Sequence, residues 1–458
     1  MPKLPKFLEV KEDDTEKEKK KKRFLLILFI ILFFLVAVGI ILGIVFGVRS
    51  CSKSNKSSTS NITSNTSSNI GATSEPAPSD VGYINYALND DGISYKVTGL
   101  KATYPTEIVI PNTYEGKPVT KIGVDALRNK TDVTSVVLPS TIIDIEDGAF
   151  SKCTSLTSIN LPEGIASISE AAFMYCTSLK EINIPSSVSI IKDAAFNECD
   201  DLEKVTFASG SILETIESNS FSDCPSLKDV VLPETVKTIE SNAFLNCHKD
   251  LYTEYNGAYY FGTPLKPYWL LEKVLDNTVT TFEINENCLT IDYEVFKDFE
   301  SLVSITIPSK VERIYIDAFM GCSSLSSVTF ASPTSLTYLD NGLFHNCSSL
   351  TSFTVPSTVT YMGYYLFSNT GLTNLVFENE FSELPEEIID NCDLLESITL
   401  PASLSVIHKD DFKDAEALQT INFGGTKEEW NSIDKEENWD KNLTNLTLIH
   451  CIDEDIVL

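Results

Sequence analysis

Residues 149–168 read AFSKCTSLTSINLPEGIASI and residues 172–191 read AFMYCTSLKEINIPSSVSII, one apolar skeleton repeated at a displacement of 23 positions. The first copy places Phe150, Cys153, Leu156, Ile159, Leu161, Pro162, Ile165 and Ile168 where the second places Phe173, Cys176, Leu179, Ile182, Ile184, Pro185, Val188 and Ile191. The anchor returns at Phe196, Phe221 and Phe244, then at Phe296, Phe319, Phe344, Phe367, Ile389 and Phe412, with Leu127 as a weaker first copy. Two longer intervals share one cause: FASGSILETI (207–216) and FASPTSLTYL (330–339) replace the proline by alanine and add two residues before the next apolar position. A unit of this length cannot enclose its own apolar face, so successive units must stack as coils around a shared core.

Within a coil, Ile159 and Leu161 sit at the two-residue period of a strand and face the core, while Ser158 and Asn160 point outward. Parallel strands from neighbouring coils are expected to form one long sheet, with about 13 coils at about 4.8 Å giving roughly 60 Å. Pro139, Pro162, Pro185, Pro233, Pro308, Pro356 and Pro401 end the strands, and phenylalanine fills the opposite side. The outward strand positions are mostly small and polar, among them Ser304, Ser352, Thr306 and Thr354 beside the charged Glu181 and Lys204, with no aromatic stripe. Such a face lacks the aromatic and Arg anchors that dominate binding energy and reads first as a solvated surface.

The unit Ala-Phe-x-x-Cys-x-x-Leu-x-x-Ile-x-Leu-Pro resembles the BspA-like, or treponemal-type, leucine-rich repeat family, over about residues 100–423. ALNDDGISYKVTGL (87–100), IVIPNTYEGKPVTKIG (108–123) and INFGGTKEEWNSI (421–433) resemble the ends of that family. The resemblance implies a leucine-rich repeat solenoid with short parallel strands and 23-residue coils. It also implies kinship with bacterial and protist surface proteins, several of them adhesins for matrix proteins or other cells.

Residues 24–48, FLLILFIILFFLVAVGIILGIVFGV, are uncharged and would span roughly 37 Å as a helix at about 1.5 Å per residue, so one N-terminal transmembrane helix precedes the solenoid. Lys17, Lys19, Lys20, Lys21, Lys22 and Arg23 before it put the N-terminus in the cytoplasm and the repeats outside. The expected plan is a cytoplasmic basic tail (1–23), the transmembrane helix (24–48), and a flexible Ser/Thr/Asn-rich linker (49–80). An N-terminal cap with the first repeat (81–126), repeats (127–423) with an insertion at about 248–276, and a C-terminal cap (424–458) complete it.

The insertion breaks the period and gathers Tyr252, Tyr255, Tyr259, Tyr260, Phe261, Tyr268 and Trp269, with Asn256-Gly257 suited to a tight hairpin turn. It is either a hairpin packed on the solenoid or an exposed partner site, and these seven aromatics are the best candidate binding residues. Eight cysteines (Cys153, Cys176, Cys199, Cys224, Cys247, Cys322, Cys347, Cys392) recur three residues after the anchor. One per coil fits buried thiols, with disulfides between adjacent coils as the alternative, and does not fit a metal site.

Net charge is −30 overall, and residues 81–458 carry 57 acidic against 23 basic side chains, which argues against nucleic acid as a partner. Four scattered histidines and the lack of GxSxG, HExxH, Walker A or EF-hand patterns leave no candidate catalytic residue, metal ligand or cofactor site. The function expected is a single-pass plasma-membrane protein whose repeats bind extracellular proteins or glycans, with cell adhesion the outcome. An envelope-organising solenoid without a dedicated ligand is the alternative, and an enzyme or enzyme subunit the remote one.

Overall fold

A computed structural model describes residues 82–458. The predicted tail, membrane helix and linker at 1–23, 24–48 and 49–80 lie outside the described residues. Among the described residues no helix is long and apolar enough to cross a membrane. The repeats form a parallel-strand solenoid of about 14 turns with 23-residue coils.

Most coils contribute two short strands, where the sequence suggested one. The first ladder contains Glu181–Ile184, Lys204–Phe207 and Asp229–Val230, then Ser304–Ile307 and Ser327–Phe330, then Ser352–Val355, Asn374–Phe377, Ser397–Leu400 and Thr420–Phe423. The second contains two-residue strands such as Ser167–Ile168, Ile190–Ile191, Thr215–Ile216 and Thr238–Ile239, paired in parallel register. The single long sheet of the sequence reading is therefore corrected to two ladders, each divided into segments. Segments of two residues carry too little alternation to show a strand period.

Between the ladders the Phe anchors form a buried column. Phe150, Phe173, Phe196, Phe221 and Phe244 stack with centroids 5.1–5.2 Å apart and nearly parallel planes. A second column runs from Phe296 through Phe319 and Phe344 to Phe367. The residue two before and the one two after an anchor lie in the left-handed region, as at Asn219 (φ 55°) and Asp223 (φ 57°) around Phe221. Asn and Asp tolerate that conformation best, which explains their frequency beside the anchors.

The repeat cysteines are free thiols, all buried except the half-buried Cys247. Each Sγ donates to a carbonyl of the previous coil: Cys176 to Phe150 at 3.3 Å, Cys199 to Phe173 at 3.3 Å, Cys322 to Phe296 at 3.0 Å. The same carbonyl accepts its own coil's N–H, as when Cys153 N donates to Phe150 O. The thiol thus satisfies a second lone pair inside the core, and this accounts for cysteine without a disulfide.

At the N-terminal end, strands Ile84–Leu88, Tyr95–Leu100 and Lys117–Ile122 cover the first coil. Beyond Phe423 the coil pattern continues, because Leu448–His450 pairs with Thr420–Phe423 and Asp434–Lys435 with Val406–Ile407. A short helix, Lys427–Ser432, interrupts that last coil, opened by a capping box between Thr426 and Glu429.

Candidate functional site

The insertion folds as an antiparallel meander. Thr253–Tyr255 pairs with Ala258–Thr263 across Asn256 (φ 50°) and Gly257 (φ 71°), the two positive φ values of a type I′ turn. The return strand Lys266–Val274 pairs antiparallel with Ala258–Thr263, and its Leu270 and Leu271 pair in parallel with Thr290 and Ile291. The insertion therefore supplies a strand of the second ladder itself. At Gly262, where the register shifts just before the turn, a Cβ would come within 2.0 Å of the Lys266 carbonyl, so the close approach of the two strands there requires glycine.

This placement divides the hydrophobic core in two. Phe261, Trp269 and Leu270 belong to the core of the N-terminal coils, whereas Ala258, Tyr260, Leu271 and Val274 belong to that of the C-terminal coils. Phe261 lies 4.1 Å from Phe244 and closes the first Phe column. Of the seven candidate aromatics, Tyr260, Phe261 and Trp269 are thus interior and present no ring to a partner. Tyr252 is half-buried and its hydroxyl donates to Phe244 O at 2.5 Å. Tyr259 stacks on Tyr252 and Tyr268 meets Tyr255 edge to face, leaving Tyr255 as the exposed member.

The joint also buries two carboxyls. Asp292 accepts from Asn242 N at 3.1 Å and from Tyr293 N at 2.8 Å, tying the coil after the insertion to the coil before it. Burial pushes its carboxyl up to about 6. Burial, and then the charge of Asp292, push Glu272 well above the ordinary carboxylate range, and its buried Oε2 has no hydrogen-bond partner among the described residues. Glu272 lines a cavity of about 420 Å³ together with Cys247, Tyr252, Tyr259 and Tyr293.

The outward face of the first ladder carries the small polar groups read from the sequence, joined across coils by bonds such as Thr306 to Thr329 at 2.9 Å. The second ladder is different. Arg313, Tyr338 and Tyr361 occupy one register position in consecutive coils. The Arg313 guanidinium lies 5.3 Å from the Tyr338 ring centre, and Tyr338 stacks on Tyr361 at 4.3 Å. Exposed Tyr364 and Tyr365 follow in the next turn. This aromatic row went unread because its strands are two residues long, although its spacings of 25 and 23 residues match those of the Phe anchors.

The row ends where the ladder breaks. In neighbouring coils the residue after the second strand donates to the preceding coil, as Asp340 N to Ile314 O and Gly363 N to Leu339 O. The next coil has Pro385 at that position, which has no N–H to give to Met362 O. Tyr361–Met362 is accordingly the last strand of its sheet. An open groove of about 640 Å³ lies there, lined by Tyr361, Tyr364, Glu383, Pro385, Glu386 and Asp410 among others. His408 is held between Glu436 at 3.2 Å and Glu383 at 3.4 Å, and these hydrogen bonds, Glu436 foremost, raise its pKa. Burial pushes Asp411 up to about 6, and its Oδ2 accepts from His408 N at 2.7 Å.

Stacked coils with a Leu-x-x-Ile strand, an internal Phe column and a surface free to vary define a leucine-rich repeat protein. The model of the BspA type leucine rich repeat region matches in six copies over residues 120–250, 275–396 and 390–453, and the chain belongs to this family. Among solved structures it is similar to the pneumococcal vaccine antigen PcpA, with 21% identity over 81% of this chain and 98% of that one and a TM-score of 0.43. It is also similar to a leucine rich cell surface protein of Faecalibacterium prausnitzii, with 26% identity over 80% and 99% and a TM-score of 0.38. A leucine-rich repeat protein of T. pallidum matches at 22% identity over 62% and 97%, with a TM-score of 0.28. No curated protein matches the chain.

Proposed function

We propose that this chain is a single-pass plasma-membrane protein, anchored through residues 24–48, whose extracellular solenoid binds proteins or glycans and mediates cell adhesion. The observation that carries the binding role is the row of exposed rings at Tyr361, Tyr364 and Tyr365, 41%, 49% and 44% exposed, beside an open groove. Rings held in place by a rigid ladder lose little conformational entropy on contact, so they supply binding energy efficiently. Family membership supports a surface location, and the basic residues before the apolar segment support the topology. Tyr255 of the insertion is a secondary contact in the same reading.

The test compares adhesion of cells with and without the chain to immobilised matrix proteins and glycans, alongside cells carrying Tyr361→Ala with Tyr364→Ala. Adhesion that needs the chain and falls with the double variant is the expected result. Adhesion unchanged by removing the chain would favour the envelope-organising role. External protease on intact cells should cleave the repeats, and repeats that stay protected would overturn the topology.

A further inference from the structure

We infer that the groove between Tyr361 and Asp410 takes an extended, lysine- and arginine-rich segment of a partner protein. This inference rests on the binding role proposed above and names the chemistry of the partner.

The groove exists because one coil fails to complete the ladder. The carbonyls of Thr360 and Met362 face the missing rung and have no backbone donor among the described residues, whereas the equivalent Thr337 and Leu339 carbonyls are both satisfied. Acceptors two residues apart along a strand match the N–H spacing of an extended chain. Pro385 removes the donor that the next coil would otherwise offer to Met362 O.

Charge selects the kind of segment. Residues 376–416 carry twelve Asp and Glu against Lys409 and Lys413. Lys413 is already engaged, by Asp390 at 2.9 Å and Glu387 at 3.3 Å. The carboxylates of Glu386 and Asp410, both on the groove wall, make no hydrogen bond or ion pair among the described residues. Two unpaired carboxylates beside exposed rings complement a cation with an apolar stem, and they oppose an acidic or sulfated ligand.

The molecule itself shows how such a cation sits. Arg313 lies over Tyr338, one coil before Tyr361. At the register position after Tyr361 the chain places Glu383 in place of a further cation. A partner Lys or Arg over Tyr361 or Tyr364 would repeat the Arg313 arrangement with Glu386 and Asp410 as counter-charges.

The experiment measures binding of a fluorescein-labelled twelve-residue peptide of alternating Lys and Ser to the full chain in detergent micelles. A Glu/Ser peptide and a neutral oligosaccharide serve as comparisons. Binding is expected for the Lys/Ser peptide alone and should weaken as salt rises. Glu386→Gln with Asp410→Asn, or Tyr364→Ala, should weaken it roughly tenfold, the loss usual for an interface anchor. Glu170→Gln with Asp201→Asn, exposed acidic residues of the N-terminal coils, should leave it unchanged. Equal weakening by the remote pair would reduce the effect to overall charge and overturn the inference, as would groove variants that bind like the parent. If the peptide fails to bind while adhesion still depends on Tyr361 and Tyr364, the basic-segment inference falls and the binding role stands. Loss of the adhesion dependence as well would remove both.

Discussion

Replacing Trp269 by alanine should uncouple the two halves of the solenoid. Trp269 is 3% exposed and packs with Phe261 and Leu270 at the end of the N-terminal core, while the adjacent Leu271 faces the C-terminal core. Emptying such an aromatic site costs about 3–5 kcal/mol. In a stack of coils that interact with their neighbours, the loss falls on the interface at the insertion, so the N-terminal coils should unfold first. With a urea slope of about 3 kcal/mol per M, their midpoint should drop by about 1–1.7 M. The remaining tryptophans, Trp430 and Trp439, both lie in the last coil and report on the C-terminal half. Circular dichroism reports on both halves. The expected result in Trp269→Ala is therefore a dichroism transition that precedes the fluorescence transition, with Trp269→Phe much closer to the parent. Coincident transitions with a midpoint shift below about 0.3 M would refute the division of the core at the insertion. The same division predicts that deleting residues 252–274 does not leave the repeats intact, because it removes packing from both cores at once.

Phe196, fully buried between Phe173 and Phe221, should cost about 3–5 kcal/mol as Phe196→Ala, whereas exposed Tyr364→Ala should stay within about 0.5 kcal/mol in the same urea titration. Glu272 and Asp292 both have raised folded pKa values, so their contribution is full below the ordinary values of 4.5 and 3.8 and is lost as pH rises, for Asp292 through about 6. Glu272→Gln, which removes one titrating group of the pair at nearly constant volume, should therefore flatten the decline of stability above pH 4.5 relative to the parent; parallel stability–pH curves for the two would contradict the buried pair. Comparison with the parent cancels Asp411, whose raised value acts in the same direction. A maleimide should label few of the repeat cysteines in the native chain and most of them in urea without reductant, since burial pushes thiols such as Cys153 up to about 12. Disulfide-linked peptides in the digest would contradict the thiol-to-carbonyl bonds.

The coil period, the Phe column and the thiol positions were legible in the amino-acid sequence alone, because every coil repeats the same contacts and so the same residue types every 23 positions. Asn256-Gly257 likewise announced its turn, since a type I′ hairpin demands positive φ at two successive residues. Tertiary structure decided the rest. Tyr260 and Phe261 are neighbours on one strand and face opposite sides, and both are buried only because that strand is sandwiched between two cores. Local sequence reveals aromatic density but not what covers each side, so the insertion read either as a hairpin packed on the solenoid or as a surface for partners. Conversely, Tyr338 and Tyr361 became a row only when two-residue strands from coils 23 residues apart were laid side by side. Pro385 became a groove only because the preceding coil offers a carbonyl, Met362 O, to the N–H that proline lacks. Repetition writes its contacts into the sequence, whereas a departure from repetition acquires meaning only from the neighbours it is stacked against.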